Sequence, residues 1–277
     1  MVSASESSVG VLLEALPPTK LVYFDDMWQL QAHGRVLSVV EQDGDRLAVI
    51  MNQTIMYPQG GGQPCDTGNI ISVDSQQKFR VEDVRSKSGL VYHYGYYEVA
   101  EGEEATSAFQ KGEDVTMVID GERRSFNSRL HTAGHLLDAC MSNVGLTSFE
   151  PGKGHHFPDG PFVEYKGTIP APDIEKLRAA LEAEANRLVS AGGQVSAVVV
   201  PYLEAAALCG GVLPDYIPKE SCPRVVSLGD NPGGPCGGTH VYDIKQIGRI
   251  NVTQIRVRKG MTKVSYKLKD DGLVSVA

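Results

Sequence analysis

At 277 residues, 42% of them hydrophobic and 22% charged, the chain is long enough for two domains with buried cores and has the composition of a soluble globular protein. No apolar run approaches the ~20 residues of a membrane helix. The Ser-rich start carries Glu6, no arginine and no secretory pattern, and five cysteines without framework spacing fit a reducing compartment, so a cytoplasmic location is expected.

In chain order, residues 1–18 read as a flexible N-terminus ending in Pro17-Pro18. From 19 to 105 short β-rich runs follow closely: 36–41, 46–52, 70–73, 78–84 and 90–94, the first two joined by a hairpin turn at Asp43-Gly44. Close spacing without a long helix predicts a small β-barrel. Between its strands lies Tyr57-Pro-Gln-Gly-Gly-Gly-Gln-Pro-Cys-Asp-Thr-Gly68. Consecutive glycines there let the backbone approach a ligand, and the N–H groups of Gly61 and Gly62 are candidates to cradle a phosphate or ribose. Residues 100–111, with Glu101, Glu103 and Glu104, read as a link.

Residues 106–277 read as a second, α+β domain. It contains a strand at 115–119, a helix at 122–143 ended by Gly145, and a Gly-rich loop with Lys153 and His155-His156, expected to be solvent-exposed. A strand at 162–165, a helix at 172–190 and an apolar run at 195–200 follow, the last expected as a buried central strand. A short helix (202–208), a strand (224–228), a Gly/Pro loop and a hairpin around Lys259-Gly260 complete it. The hairpin alternates: Ile255, Val257, Val264, Tyr266 and Leu268 face one way, Arg256, Arg258, Lys263, Lys267 and Lys269 the other. Although the net charge is −8, the stretch from Lys245 through Lys269 holds eight basic residues and no acidic one, a candidate phosphate-binding surface.

The chemistry concentrates in two motifs. In Arg129-Leu-His-Thr-Ala-Gly-His-Leu-Leu137, His131 and His135 stand one helical turn apart and share a face to one side of the apolar stripe of Leu130, Ala133 and Leu137. Cys236-Gly-Gly-Thr-His240 adds a thiol and an imidazole. Two His with a Cys and a His are donors that zinc prefers. Four protein ligands would close the tetrahedron as a structural site, and catalysis would need one absent or exchangeable. In the metallopeptidase HExxH helix a glutamate follows the first histidine; here Thr132 stands there, which argues against that peptidase chemistry.

With these residues the sequence resembles the alanyl-tRNA editing proteins of the AlaX type and the editing domain of alanyl-tRNA synthetase. His131-Thr-Ala-Gly-His135 matches the family's HxxxH helix, Cys236-Gly-Gly-Thr-His240 its CxxxH element, and 57–68 its Gly-rich loop, in the family's order over roughly 19–269. The resemblance implies an N-terminal β-barrel beside an α+β catalytic domain with the metal in its cleft, one zinc held by His131, His135, Cys236 and His240, and hydrolysis of serine or glycine from mischarged tRNA(Ala). Under it, Thr132 beside His131 is a candidate contact to a seryl hydroxyl or a helix residue bonding its own backbone, Gln63 a candidate contact to the terminal adenosine, and Arg256 and Arg258 candidate RNA contacts. No tail is long enough for the extra C-terminal tRNA-binding domain of the longest members, so tRNA selection is expected to rest on the two domains. The alternatives are a non-catalytic RNA-binding module held together by a closed zinc site, and a zinc hydrolase of a small ester or amide. Zincins' missing glutamate argues against a peptidase form of the last, and the basic hairpin favours an RNA partner.

Overall fold

The structure is a computed structural model and describes residues 16–42, 46–99 and 108–269. By contact these residues form two units. One runs through Gln59 and resumes from Cys65 to Gly121, and the other takes Gly60–Pro64 and continues from Glu122.

The first unit contains strands β1 (Lys20–Leu21), β2 (Gln31–Gln42), β3 (Arg46–Met51), β4 (Gln53–Thr54), β5 (Gly68–Ser72), β6 (Lys78–Lys87), β7 (Leu90–Tyr97) and β8 (Asp114–Ile119). Strands β2-β3-β7-β6-β5-β8 close into a barrel, each neighbouring pair antiparallel, while β1 pairs in parallel with β4. Closure leaves no sheet edge to be covered. Val36, Val49, Met51, Ile70, Phe79, Val81, Val115 and Met117 fill the barrel's core. Along β8 the buried residues are Val115, Met117 and Ile119. A one-residue slip would turn all three outward, which fixes the register. A bulge between Val81 and Asp83 lets Val81 and Val84 both point inward despite their odd spacing.

The strand of 114–119, assigned from sequence to the second domain, is the stave that closes the barrel by pairing with β2 and β5. The first unit therefore reaches past residue 105, because two barrel edges would otherwise be left unpaired. The Asp43-Gly44 turn, residues 1–15 of the N-terminal stretch and residues 100–107 of the expected link lie outside the described residues. At the end of that link, Phe109 is buried against Phe79 and Tyr97, and its N–H donates to the Tyr97 hydroxyl at 2.8 Å.

The second unit opens with α1 (Gly121–Asn143), followed by β9 (Glu150–His155), β10 (Phe162–Lys166), α2 (Ile174–Ala191), β11 (Val195–Val199), α3 (Tyr202–Leu208), β12 (Arg224–Leu228), β13 (Gly234–Pro235), β14 (Ile250–Arg258) and β15 (Met261–Leu268). An antiparallel sheet runs β14-β15-β10-β9. Helix α2 is tied to β14 by hydrogen bonds: Asn186 brackets Ile250, donating to its carbonyl at 2.7 Å and accepting from its N–H at 3.0 Å. Arg178 and Glu182 do the same for Val252.

Helix α1 is buried on nearly every side. Leu130, Ala133, Leu137 and Met141 are buried as their spacing demands, and so are Asn127, Ser128, His131 and Thr132 on the polar stripe. On that second face Ser128, His131 and Thr132 are hydrogen-bonded, to Thr239, to Gln63 and to Ser128 O with His240, whereas Asn127 Nδ2 has no hydrogen-bond partner among the described residues. The helix ends in a Schellman closure, with Gly145 at φ 94° and the Leu146 N–H donating to Met141 O at 2.9 Å.

Two local expectations are corrected. The apolar run at 195–200 is the edge of the three-stranded sheet β11-β12-β13, with Val198 and Val199 exposed, and the buried centre is β12. Apolar content alone does not separate edge from centre. The Gly-rich stretch 151–155, expected as a loop, is strand β9 paired with β10. At Gly152 a Cβ would sit 3.1 Å from Glu164 O, so glycine suits the close strand approach.

Candidate metal centre

Helix α1 presents His131 and His135 on one face, and the loop after β13 brings Cys236 and His240 to them. The four ligand atoms lie within 4.8 Å of one another, with His131 and His240 buried and the other two partly so. His135 Nε2 is 3.2 Å from His131 Nε2, and Cys236 Sγ is 3.5 Å from His131 Nε2 and 3.4 Å from His240 Nε2. Metal bonds of about 2.0–2.3 Å in tetrahedral arrangement give ligand-to-ligand edges of about 3.3–3.6 Å. The three edges from His131 to His135, His131 to Cys236 and Cys236 to His240 match that length, and the donor types suit a metal ion.

Hydrogen bonds at the back of the site set which ring nitrogens face forward. Gln63 Oε1 accepts from His131 Nδ1 at 2.6 Å and from the Thr239 N–H at 3.0 Å, while Gln63 Nε2 donates to Thr239 Oγ1 at 2.8 Å. An amide oxygen can only accept, so His131 carries its proton on Nδ1 and turns a lone pair on Nε2 toward the centre. Thr132 acts alike for His240. Its hydroxyl donates to Ser128 O at 2.7 Å and so accepts from His240 Nδ1 at 3.2 Å, and also from the Val241 N–H. Cys236 Sγ accepts from the Gly238 N–H at 3.3 Å. The buried Arg224 pins the loop by donating to the Cys236 and Gly238 carbonyls, both at 2.9 Å. A Cβ on Gly238 would run into the His131 ring and crowd Gln63 Oε1, so only glycine fits that turn of the loop.

Burial, then the neighbouring imidazoles, hold His131 and His240 well below the ordinary histidine range, and burial brings His135 to about 4. The rings are neutral, the form that ligates a metal. Burial pushes the Cys236 thiol up to about 11, against the Gly238 N–H and Arg224, which lower it. A thiolate in this pocket thus calls for an adjacent cation.

Gln63 and Thr132 are both fully buried, and their polar atoms are engaged with ligands and backbone. Each holds a histidine, and Thr132 also bonds its own helix backbone at Ser128 O, the second of the two roles expected for it. The Gly-rich loop is also not an open cradle. Gly60 and Gln63 exchange backbone hydrogen bonds in a tight turn, with Gly61 at φ 52° and Gly62 at φ 79°. Gly61 is exposed, and the Gly62 carbonyl accepts from the His156 N–H at 2.7 Å. The loop's geometry serves to deliver Gln63. Arg256 and Arg258 are exposed on β14, paired with Lys263 and Met261, on the sheet face opposite Tyr266, and are not brought to the ligand cluster.

His155 is partly exposed, stacked between Phe157 and Phe162. His156, expected in solvent, is 4% exposed and stacks on the His131 ring. Its sequence signal was the run of glycines around it, which the structure uses to admit the ring. Arg224, Thr239 and Tyr266 carry no local signal at all.

Fold and site define a two-unit α+β protein with a six-stranded barrel and a His/Cys cluster that could hold a metal ion. Residues 7–123 match the family model of the class II tRNA synthetases (A). The alanine–tRNA ligase of Methanosarcina mazei is 30% identical over 260 residues, 92% of this chain and 26% of the ligase. That of Saccharolobus islandicus is 26% identical over 258 residues, 92% of this chain and 27% of the ligase. The alanyl-tRNA editing protein AlaX-L of Pyrococcus horikoshii is 30% identical over 247 residues, 88% of this chain and 57% of that protein. The chain is thus a relative, along most of its length, of the alanyl-tRNA editing protein and of a segment of the alanine–tRNA ligases. It spans about a quarter of the ligases and 57% of AlaX-L.

Proposed function

We propose that this chain is a zinc-dependent hydrolase that removes serine, and also glycine, from mischarged tRNA(Ala) in the cytoplasm. The observation that carries this reading is the four-donor cluster, its donor atoms within 4.8 Å of one another and His131 and His240 held in the ligating tautomer, on a chain similar to AlaX-L along most of its length. The class of activity also answers a physical need. A synthetase pocket for alanine gains only about 1–3 kcal/mol by rejecting one small group, so a second hydrolytic site is required for accuracy.

His131, His135, Cys236 and His240 hold the ion, and Gln63, Thr132 and Arg224 position them. When bound, zinc supplies a Lewis acid for the ester carbonyl and lowers the pKa of water. Catalysis needs an exchangeable position. His131, Cys236 and His240 each have a supporting hydrogen bond, whereas His135 Nδ1 has none among the described residues. Its ring is therefore the one free to swing aside. The exposed Gly61, next to Gly62 whose carbonyl holds the His156 N–H, offers backbone to the substrate. Arg256 and Arg258 serve the RNA backbone from the exposed hairpin face. We take the barrel unit, through about residue 121, and the remainder as the protein's two domains.

Four protein donors also favour a second reading, a closed structural site in a non-catalytic RNA-binding module. One experiment separates them. Serine release from seryl-tRNA(Ala), with alanyl-tRNA(Ala) as control, is measured for the intact protein and for the double variant Cys236→Ala, His240→Ala, alongside folding by circular dichroism. Rapid serine release by the intact protein alone, with the alanyl ester spared, is the expected result. A metal-loaded, folded protein that releases no amino acid abandons the hydrolase for the module.

A further inference from the structure

Beside the metal ligands sits an imidazole that the four-donor geometry does not use. The His156 ring stacks on that of His131, with centroids 4.6 Å apart and planes at 24°, and lies 6.5 Å from that of His135. Its Nδ1 is 2.7 Å from the Tyr266 hydroxyl, which itself donates to the Leu130 carbonyl at 2.9 Å. A hydroxyl has one proton, so Tyr266 accepts from His156. Nδ1 thus carries the ring's hydrogen, and Nε2 is a bare acceptor. With the backbone N–H bonded to Gly62 O, the ring is held at two points, while Nε2 has no partner among the described residues.

Three glycines make room for this ring. A Cβ at Gly134 would run into Cε1 and Nδ1, one at Gly62 would lie 3.3 Å from Cδ2, and one at Gly154 would lie 2.6 Å from Nε2. Gly154 has no positive φ, so its backbone does not demand glycine. The space over Nε2 does. Around the ligands, Thr132, Gln63 and Thr239 already have their hydrogen-bonding atoms engaged.

An enzyme that removes serine from tRNA(Ala) has to spare the correct alanyl ester, which differs by one hydroxyl. A hydrophobic pocket barely rejects an added hydroxyl, but a buried acceptor left unpaired by a methyl group rejects the analogue strongly. Resting on the editing reading above, we propose that His156 Nε2 accepts the hydrogen bond of a seryl side-chain hydroxyl and sets selectivity for serine over alanine. The Tyr266–Leu130 chain keeps the acceptor from becoming a donor, and glycine at 154 sets no side chain against it.

The test compares kcat/KM on seryl-, glycyl- and alanyl-tRNA(Ala) for the wild type, His156→Phe and Tyr266→Phe, with zinc content measured for each. Phenylalanine keeps the ring's shape, so the ratio of seryl to glycyl hydrolysis is expected to fall about tenfold or more in His156→Phe, the loss of one buried hydrogen bond, and by less in Tyr266→Phe. In calorimetry with non-hydrolysable 3′-aminoacylamido adenosines, the wild type should prefer the seryl over the alanyl analogue and His156→Phe should not. An unchanged seryl-to-glycyl ratio, or a kept preference for the seryl analogue, overturns the role of His156 and leaves editing intact. A wild type that hydrolyses none of the esters overturns the editing reading and this inference with it. Should His156→Phe lose metal or fold, Gly154→Ala, which covers Nε2 and keeps the ring, is held to the same expectations.

Discussion

Gln63 reaches His131 across 68 residues of sequence and Thr239 across 176. Replacing it with leucine leaves the buried His131 Nδ1–H and Thr239 N–H without their acceptor, and removal of such a supporting partner weakens metal binding about 10–100-fold. A zinc competition titration of Gln63→Leu against the wild type checks this, and unchanged affinity would show that the packing of the ring suffices. The clustering of His131, His135, Cys236 and His240 was legible from sequence because two pairs of candidate donors each stand four residues apart. Their supports were not legible. Gln63 reads as part of a ligand-facing turn, and Thr132 equally as a substrate contact or as a helix residue bonding its own backbone, since nothing local says which way a polar side chain points. His156 looked like solvent-exposed loop for the same reason, its burial being decided by glycines in three separate segments.

At the scale of elements, helix α1 carries the clearest conflict between local preference and packing. Alanine at a helix interior is favoured over glycine by about 1 kcal/mol, yet a Cβ on Gly134 would enter the His156 ring and sit 3.1 Å from the Tyr266 hydroxyl. Overpacking of this kind costs about 1–3 kcal/mol, so Gly134→Ala is expected to lower the melting temperature despite its better propensity. A higher melting temperature would mean that His156 moves away at little cost. The helix itself, the C-terminal hairpin and most barrel staves were readable from periodicity and turn residues. Strand β9 was not, because its glycines mimic a loop while its backbone pairs with β10. Strand β11 was misjudged, because an apolar run reads as buried whether or not a second neighbour covers it.

For the molecule as a whole, the barrel unit contains a built-in sensitivity to acid. His93 is fully buried in β7, its Nδ1 donating to Val49 O at 2.9 Å and its Nε2 accepting from the Thr54 hydroxyl at 2.8 Å. Burial brings its pKa from 6.5 to about 4. The unfolded chain then binds the proton more readily than the fold, so the stabilisation is complete above about pH 6.5 and is lost as pH falls toward 4, at most on the order of 3 kcal/mol. Denaturant unfolding followed from pH 7 to 4 should show this decline, and His93→Gln should make it shallower, the buried histidines of the second unit contributing the rest. An equal slope in both proteins would place the acid sensitivity elsewhere.

The turn that carries Gln63 also has a consequence for the order of events during synthesis. Residues 60–64 interrupt the barrel's chain yet belong with the second unit, and their partners at 236–240 are made long after them. At ribosomal rates of about 5–20 residues per second, roughly ten seconds or more separate Gln63 from Thr239. During that interval the barrel can close around its own core while the loop waits. The His/Cys cluster is therefore a late, long-range closure, formed across 176 residues of sequence.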